Sequence, residues 1–142
     1  MNRVNIHKTQ PTAYQAMFGL EKYLETIDLP ASLVELIKTK ASQINGCAYC
    51  IQMHSKAALE KGETMERLFA LSAWKESPLF TNKERSALAL TEEVTLISHQ
   101  GVSDDVYANL QKHFNEEQIA QLIMLIATIN AWNRIAVATH AQ

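Results

Sequence analysis

The sequence predicts an all-α protein, a single-domain helical bundle of about six or seven helices. Three observations predict this fold class. Apolar residues recur with the helical period of about 3.6 residues almost everywhere in the chain. No segment alternates apolar and polar residues convincingly, as a half-buried strand would. The chain has only four glycines and three prolines, and they fall where helices should begin or end.

The first two predicted helices are marked by their apolar stripes and by one proline. Residues 12–27 form the first helix, after an N-terminal arm of about residues 1–11. Residues 30–44 form the second, with Pro30 at its start, a favoured position for proline. The dipeptide "NG" at 45–46 then ends that helix.

Capping residues and glycine mark the remaining predicted helices. A third helix runs over about 47–61 and ends at Gly62. Residues that can cap a helix N-terminus precede each of the last four: Thr64, Thr81 with Glu84, Ser103, and Asn115 with Gln118. The last helix, 116–139, is apolar nearly all round, so we expect it to be enclosed by its own domain or by another subunit. Without any linker or repeat, residues 1–142 are expected to form one domain.

The overall composition is that of an ordinary soluble domain and excludes some partners. Hydrophobic residues make up 47% and charged residues 20%, with a formal net charge of −2. The absence of a basic cluster argues against nucleic acid or an anionic membrane as the main partner. The N-terminus lacks the apolar core of a signal peptide, and polar residues interrupt the most apolar run: Gln121, Asn130, Asn133 and Arg134. We therefore expect a cytoplasmic protein that does not cross a membrane.

The two cysteines of the chain lie together in "INGCAYCIQMH", residues 44–54. In a reducing compartment, such a pair is more often catalytic or metal-binding than a structural disulfide. Helix N-termini favour thiolate, and Cys50 is four residues before His54, within reach of an imidazole that can accept its proton. Cys47 is close enough to Cys50 to form a disulfide. A helical wheel places these three on one face, with Ile51, Ala57 and Ala58.

Glu35 is a candidate for the group that orients His54. The second and third helices should pack as an antiparallel hairpin about the "NG" turn. Glu35 then lies one turn beyond the residue opposite His54, about 4.5 Å along the axis. It is, however, nearly opposite the apolar stripe of its own helix. The wheel alone favours a solvated Glu35, and the orienting role stays open.

The cysteine pair could also have a purely structural or a metal-binding role. Free cysteine is commonly buried, so the pair could be two small core residues. The spacing C-x-x-C-x-x-x-H also offers three zinc ligands, which His99 or His113 would have to complete from another helix. The residues by themselves leave both roles open beside the redox one.

The spacing from Glu35 through Cys47 and Cys50 to His54 is E-x11-C-x2-C-x3-H. It resembles the signature of the alkylhydroperoxidase D family, within the carboxymuconolactone decarboxylase superfamily. Three further segments are similar to its small members: "SQINGCAYCIQMHSKAALEKGET", "LSAWKESPLFTNKERSALALTEEVTLI" and "NAWNRIAV". The resemblance covers roughly residues 30–138. It implies an all-α fold and a homo-oligomer (dimer, trimer or hexamer).

The resemblance also implies a chemistry for the candidate residues. Cys50 would attack an alkyl hydroperoxide and Cys47 would resolve the product as a redox-active disulfide, with His54 and Glu35 as a proton relay. An external dithiol, lipoyl-bearing or thioredoxin-like, would reset the pair. Neither a cofactor nor a metal is implied.

One residue departs from the family pattern. Tyr49 precedes the second cysteine, where the best-known peroxidase members have a histidine. Because a phenol is a poor base at neutral pH, peroxidase efficiency is the least secure implication. The alternatives are a general thiol–disulfide oxidoreductase or redox sensor without peroxide specificity, and a non-catalytic oligomeric or metal-binding module.

Overall fold

The chain folds entirely into helices and the turns between them. The computed structural model describes residues 1–142. It contains α1 (Ile6–Thr9), α2 (Pro11–Leu24), α3 (Ala31–Ile44), α4 (Ala48–Glu60), α5 (Met65–Ala70), a 3-10 turn (Leu71–Ala73), α6 (Asn82–Thr95), α7 (Ile97–Gln100), α8 (Asp104–Gln111) and α9 (Glu116–Thr139). The predicted all-α class is confirmed.

The structure has more helices than the six or seven predicted, because two of its nine helices are single turns. One of these, α1, lies within the predicted N-terminal arm and is capped by the Asn5 side chain. The other, α7, arises because Leu96 leaves helical backbone angles (φ −98°, ψ 38°) and ends α6 at Thr95. The remaining seven match the predicted helices in order, and the one that Thr64 caps ends at Ala70 and continues as a 3-10 turn.

The predicted N-caps are observed at all four positions. The hydroxyl of Thr81 accepts a hydrogen bond from the Glu84 amide, and the Glu84 carboxylate accepts one from the Thr81 amide. Asn115 and Gln118 form the same reciprocal pair at the start of α9. Each pair satisfies two backbone N–H groups that the helix leaves free, so these starts are fixed by local chemistry. Thr64 and Ser103 each cap through a single hydrogen bond.

Helix α3 lies between two hydrophobic clusters. Leu33 and Ile37 belong to one cluster and Leu36 to the other. The first cluster joins α3 to α6, α8 and α9: Leu24, Leu33, Ile37, Ala87, Leu90, Leu110, Phe114, Ile119, Leu122, Leu125 and Ile126. The second joins α3 to α4, α6 and the α5 region: Leu36, Ala58, Leu68, Leu71, Trp74, Phe80 and Leu88. Because α3 packs against other helices on both sides, several of its polar residues are buried as well.

Within one chain, other helices cover only one face of helix α9. Its inner face contributes four residues to the first cluster, whereas Ile123, Met124 and Val137 are exposed. Its own domain therefore encloses α9 only in part, and enclosure by another subunit, the other alternative, stays a prediction. By length and composition, α9 is also apolar enough to cross a membrane, which the interrupting polar residues were expected to prevent. Two of those residues, Asn130 and Asn133, are buried within the protein, which hides their polarity from the outer face.

Candidate active site

The turn between α3 and α4 positions both cysteines. Gly46 has a left-handed backbone (φ 65°), which glycine adopts without steric cost. The Cys47 amide donates to the Ser42 carbonyl at 3.0 Å, closing the end of α3. This reverses the chain, and α4 packs antiparallel along α3 as the "NG" dipeptide predicted.

Cys47 and Cys50 form a disulfide at the N-terminus of α4. Cys47 is the N-cap residue, and its sulfur accepts a hydrogen bond from the Cys50 amide at 3.3 Å. Both residues are only 2% exposed. The free N–H groups and the positive end of the helix dipole favour thiolate at this position once the bond is reduced. The observed disulfide therefore fits a redox role for the pair.

The helical wheel of α4 agrees with the structure. Cys50 and Ala58 are buried and the His54 side chain is mostly buried, while the residues placed on the other face are exposed: Gln52, Lys56 and Glu60. The imidazole thus extends from the same face as Cys50, one helical turn further along α4.

Glu35 is buried and contacts His54. Its carboxylate Oε2 lies 3.1 Å from His54 Nδ1, and the residue is 4% exposed. The solvated position that the wheel alone favoured is wrong. A wheel assumes one buried face, whereas α3 packs against helices on several sides, so the face opposite its apolar stripe is covered by α4.

The charge of Glu35 is maintained by its neighbours. Burial raises the pKa of the Glu35 carboxyl, but the hydrogen bond from His54 and the positive charge of Lys38 oppose this effect. With a further hydrogen bond from Lys61, the net pKa lies below the ordinary value. Because the ionised carboxylate accepts a hydrogen bond from Nδ1–H of His54, Nε2 is left as the ring nitrogen that can act as a base.

Two lysines at Glu35 were not identified from the sequence. Lys61 Nζ donates to Glu35 Oε1 at 3.2 Å, and Lys38 Nζ lies 4.0 Å from the same oxygen. Lysine near the end of a helix is ordinary, and no residue pattern distinguishes Lys61 from its neighbour Lys56. Only its position could have indicated a place near the site, since Lys61 follows His54 by two helical turns.

A buried amide network supports the turn before Cys47. Asn45 Nδ2 donates to the side-chain oxygens of Asn130 and Asn133, each at 2.9 Å. Asn133 Nδ2 in turn donates to Ser42 Oγ at 3.0 Å. This network ties α9 to the end of α3, so the "NAWNRIAV" segment holds the cysteine turn in place. The sequence predicted Asn45 as part of the turn that ends α3, whereas it gave Asn130 and Asn133 only as interruptions of an apolar run.

Two cavities lie near the N-terminal half of α4 and share Tyr49 as a lining residue. The larger, about 690 Å³, borders His54 and is walled by aromatic residues of α2 and α9, including Phe18 and Trp132. The smaller, about 350 Å³, borders Cys47. Tyr49 and the C-terminal residues 140–142 line both. A volume of several hundred Å³ suits a small organic ligand.

The metal-binding alternative has no geometric support. No three residues among the histidines, cysteines, aspartates and glutamates come close enough to hold a metal ion together. His99, one of the two histidines proposed to complete a zinc site, is exposed in α7.

Comparison with known proteins gives a family match. The sequence model of the carboxymuconolactone decarboxylase family matches residues 11–93, which include all four candidate site residues. The uncharacterized protein YdfG of Bacillus subtilis (strain 168) is 40% identical over 136 residues, covering 96% of this chain and 92% of YdfG.

Solved structures show the same fold. A protein of unknown function from Agrobacterium tumefaciens, described as a candidate antioxidant defence protein AhpD, superposes with a TM-score of 0.96 at 39% identity. The match covers 100% of this chain and 97% of that one. The debrominase Bmp8 superposes with a TM-score of 0.82 at 23% identity over 95% of this chain and 73% of its own. At that identity, the likeness to Bmp8 concerns the fold alone.

Proposed function

Because the chain belongs to the carboxymuconolactone decarboxylase family and is an alkylhydroperoxidase D-like member of it, we propose that it is an antioxidant thiol peroxidase that reduces alkyl hydroperoxides. One observation carries the proposal: a redox-capable cysteine pair at a helix N-terminus is followed one turn later by an imidazole held 3.1 Å from a buried carboxylate. A nucleophile, a base and a group that orients the base are the parts that thiol activation requires.

In the first step, the Cys50 thiolate attacks the terminal oxygen of the hydroperoxide. A sulfur–oxygen bond forms as the oxygen–oxygen bond breaks, so the thiol is oxidised by two electrons to a sulfenic acid. The departing alkoxide takes a proton and leaves as an alcohol. His54 supplies that proton, having accepted one from the Cys50 thiol through Nε2.

In the second step, the Cys47 thiol attacks the sulfenic sulfur of Cys50. The Cys47–Cys50 disulfide forms and water leaves. An external dithiol then reduces the disulfide by exchange through a mixed disulfide, and its own two thiols become a disulfide. We assign this reductant to a lipoyl-bearing or thioredoxin-like protein.

Glu35 keeps His54 in the productive tautomer. A carboxylate at Nδ1 fixes the ring and stabilises the imidazolium that forms when the Cys50 proton is transferred. Tyr49 does not replace a second histidine as a base, so His54 carries the proton transfer by itself in this proposal.

The wider setting is part of the same proposal. We place the enzyme in the cytoplasm as a homo-oligomer, in which a second copy covers the exposed apolar face of α9. Exposed Ile123 and Met124 on that face support this arrangement.

The decisive experiment compares the oxidation of the reduced protein by alkyl hydroperoxides, hydrogen peroxide and a small disulfide in stopped-flow measurements. We expect alkyl hydroperoxide to react fastest. Cys50→Ser should abolish this reaction, whereas Cys47→Ser should leave the first step intact and accumulate sulfenic acid. Faster reaction with the disulfide than with any peroxide would instead support a general thiol–disulfide oxidoreductase, and an unimpaired Cys50→Ser variant would refute the assignment of the attacking thiol.

A further inference from the structure

We propose that Lys61 is a positioning residue of the proton relay: its ammonium group fixes the Glu35 carboxylate in the orientation that His54 requires. This inference rests on the proposed function, because it concerns the activation of Cys50. It adds a fifth residue to the four that the sequence identified.

The two oxygens of the Glu35 carboxylate have separate partners. Oε2 faces His54 Nδ1 at 3.1 Å, and Oε1 accepts a hydrogen bond from Lys61 Nζ at 3.2 Å. A carboxylate held at both oxygens cannot rotate without breaking one of these contacts. The contact at Oε1 therefore determines where Oε2 lies relative to the imidazole.

The backbone around Lys61 is fixed by the end of α4. Lys61 is the C-cap residue, and its amide donates to the Ala57 and Ala58 carbonyls at 3.1 Å each. Gly62 then turns the chain with a positive φ of 98°, and the Glu63 amide returns to the Ala58 carbonyl at 3.0 Å. This helix termination satisfies the last carbonyls and places the lysine two turns beyond His54.

No other positively charged group makes the hydrogen bond to Glu35 Oε1 that Lys61 makes. Lys38 of α3 lies 4.0 Å from Glu35 Oε1, beyond hydrogen-bond distance, and 4.0 Å from Glu21 of α2. Its charge is thus divided between two carboxylates. Glu63, close to Lys61 in sequence, pairs with Arg67 instead. Lys61 is accordingly the one ammonium group hydrogen-bonded to Glu35.

The solvent exposure of Lys61 sets the size of its effect. Its side chain is 46% exposed, whereas that of Glu35 is 5% exposed. Water screens an exposed ion pair, so the loss of Lys61 should cost less than the loss of His54 or Glu35. Its removal should nevertheless raise the pKa of the Cys50 thiol, because the imidazolium partner of the thiolate loses a fixed carboxylate.

The test uses Lys61→Met, which removes the charge but keeps most of the stem, and Lys61→Arg, which keeps the charge. Lys56→Met is the matched control, since Lys56 is exposed on the same helix without an ion pair. Each change is made in a Cys47→Ser background, where Cys50 is the sole thiol. The pH profile of iodoacetamide alkylation then measures the pKa of the Cys50 thiol. Stopped-flow oxidation by tert-butyl hydroperoxide at pH 6 measures the rate constant of the first step of the proposed reaction.

We expect the alkylation profile of Lys61→Met to move to higher pH and its oxidation rate constant to fall about threefold to tenfold. The oxidation rate constants of Lys61→Arg and Lys56→Met should stay within about twofold of that of the background protein. If Lys61→Met behaves like Lys56→Met, or if Lys61→Arg is as impaired as Lys61→Met, the inference is overturned. If no protein reacts with the hydroperoxide while the alkylation profile still shifts, the peroxidase proposal fails and the assignment of Lys61 to the relay stands.

Discussion

The carboxylate of Glu35 lies 3.1 Å from the imidazole of His54, although 19 positions separate them in the sequence. The contact exists because the turn at Asn45–Gly46 folds α4 back along α3. It joins a buried anion to the imidazole that follows Cys50 by one helical turn. The chemistry of the cysteine pair therefore depends on a residue from the neighbouring helix.

Glu35→Gln should slow the oxidation of Cys50 by alkyl hydroperoxide about 10- to 100-fold at neutral pH. The amide keeps the shape of the side chain but cannot stabilise an imidazolium as a carboxylate does. The same variant should raise the pKa of the Cys50 thiol, which the pH dependence of alkylation measures. Glu60→Gln, on the exposed face of α4, is the control. An unchanged alkylation profile in Glu35→Gln would remove Glu35 from the relay.

Glu35 should also contribute to the acid sensitivity of the fold. Its folded-state pKa is below the ordinary value of 4.5, so the folded state binds fewer protons there than the unfolded state. The resulting stability is fully present above about pH 4.5 and is lost as the pH falls through the lowered folded-state value. Urea unfolding at pH 7 and pH 3 should therefore show a smaller pH effect in Glu35→Gln than in Glu60→Gln. Equal pH effects in the two variants would contradict this prediction.

Asn133→Ala should lower the free energy of unfolding by about 1–3 kcal/mol, because it removes the hydrogen bonds that the fully buried Asn133 side chain makes with Asn45 and Ser42. Urea denaturation followed by circular dichroism measures this loss. Asn109→Ala, at an exposed position on α8, should change stability by less than about 0.5 kcal/mol. A similar small change at both positions would show that the amide network contributes little.

Trp132→Leu should affect the choice of peroxide. Trp132 walls the larger cavity, and its indole N–H donates to Glu21 at 2.8 Å. Replacing it removes apolar contact with a bulky substrate, so KM for cumene hydroperoxide should rise about threefold to tenfold. The rate constant for hydrogen peroxide, which is too small to contact this wall, should change less than twofold. An equal loss for both peroxides would indicate a general disturbance of the site.

Local signals in the sequence predicted much of the fold and one half of the site. Helix starts were correct where a capping side chain acts within three residues, as at Thr81 and Asn115. The shared face of Cys50 and His54 was also predictable, because it depends only on the geometry of one helix.

The other half of the site depends on packing between helices, which local patterns do not contain. The helical wheel favoured a solvated Glu35 because it cannot show that α3 is covered on several sides, and only the family resemblance implied a relay with His54. Asn130 and Asn133 were interpreted as polar interruptions, since each has a partner on α3 or its turn more than 80 positions away in the sequence. In the sequence, Lys61 cannot be distinguished from other surface lysines. Only the structure shows that the end of α4 places it beside the buried Glu35 carboxylate.

The position of α3 between two hydrophobic clusters also determines how the site can move. Five of its six central residues from Leu36 to Ala41 are buried, and Leu36 and Ile37 each belong to one of the two clusters. Opening this helix locally would expose both clusters at once, at nearly the cost of unfolding the whole chain. The amide hydrogens of this segment should therefore exchange with solvent only through global unfolding. Glu35 thus belongs to a segment that we expect to be among the slowest-exchanging parts of the protein.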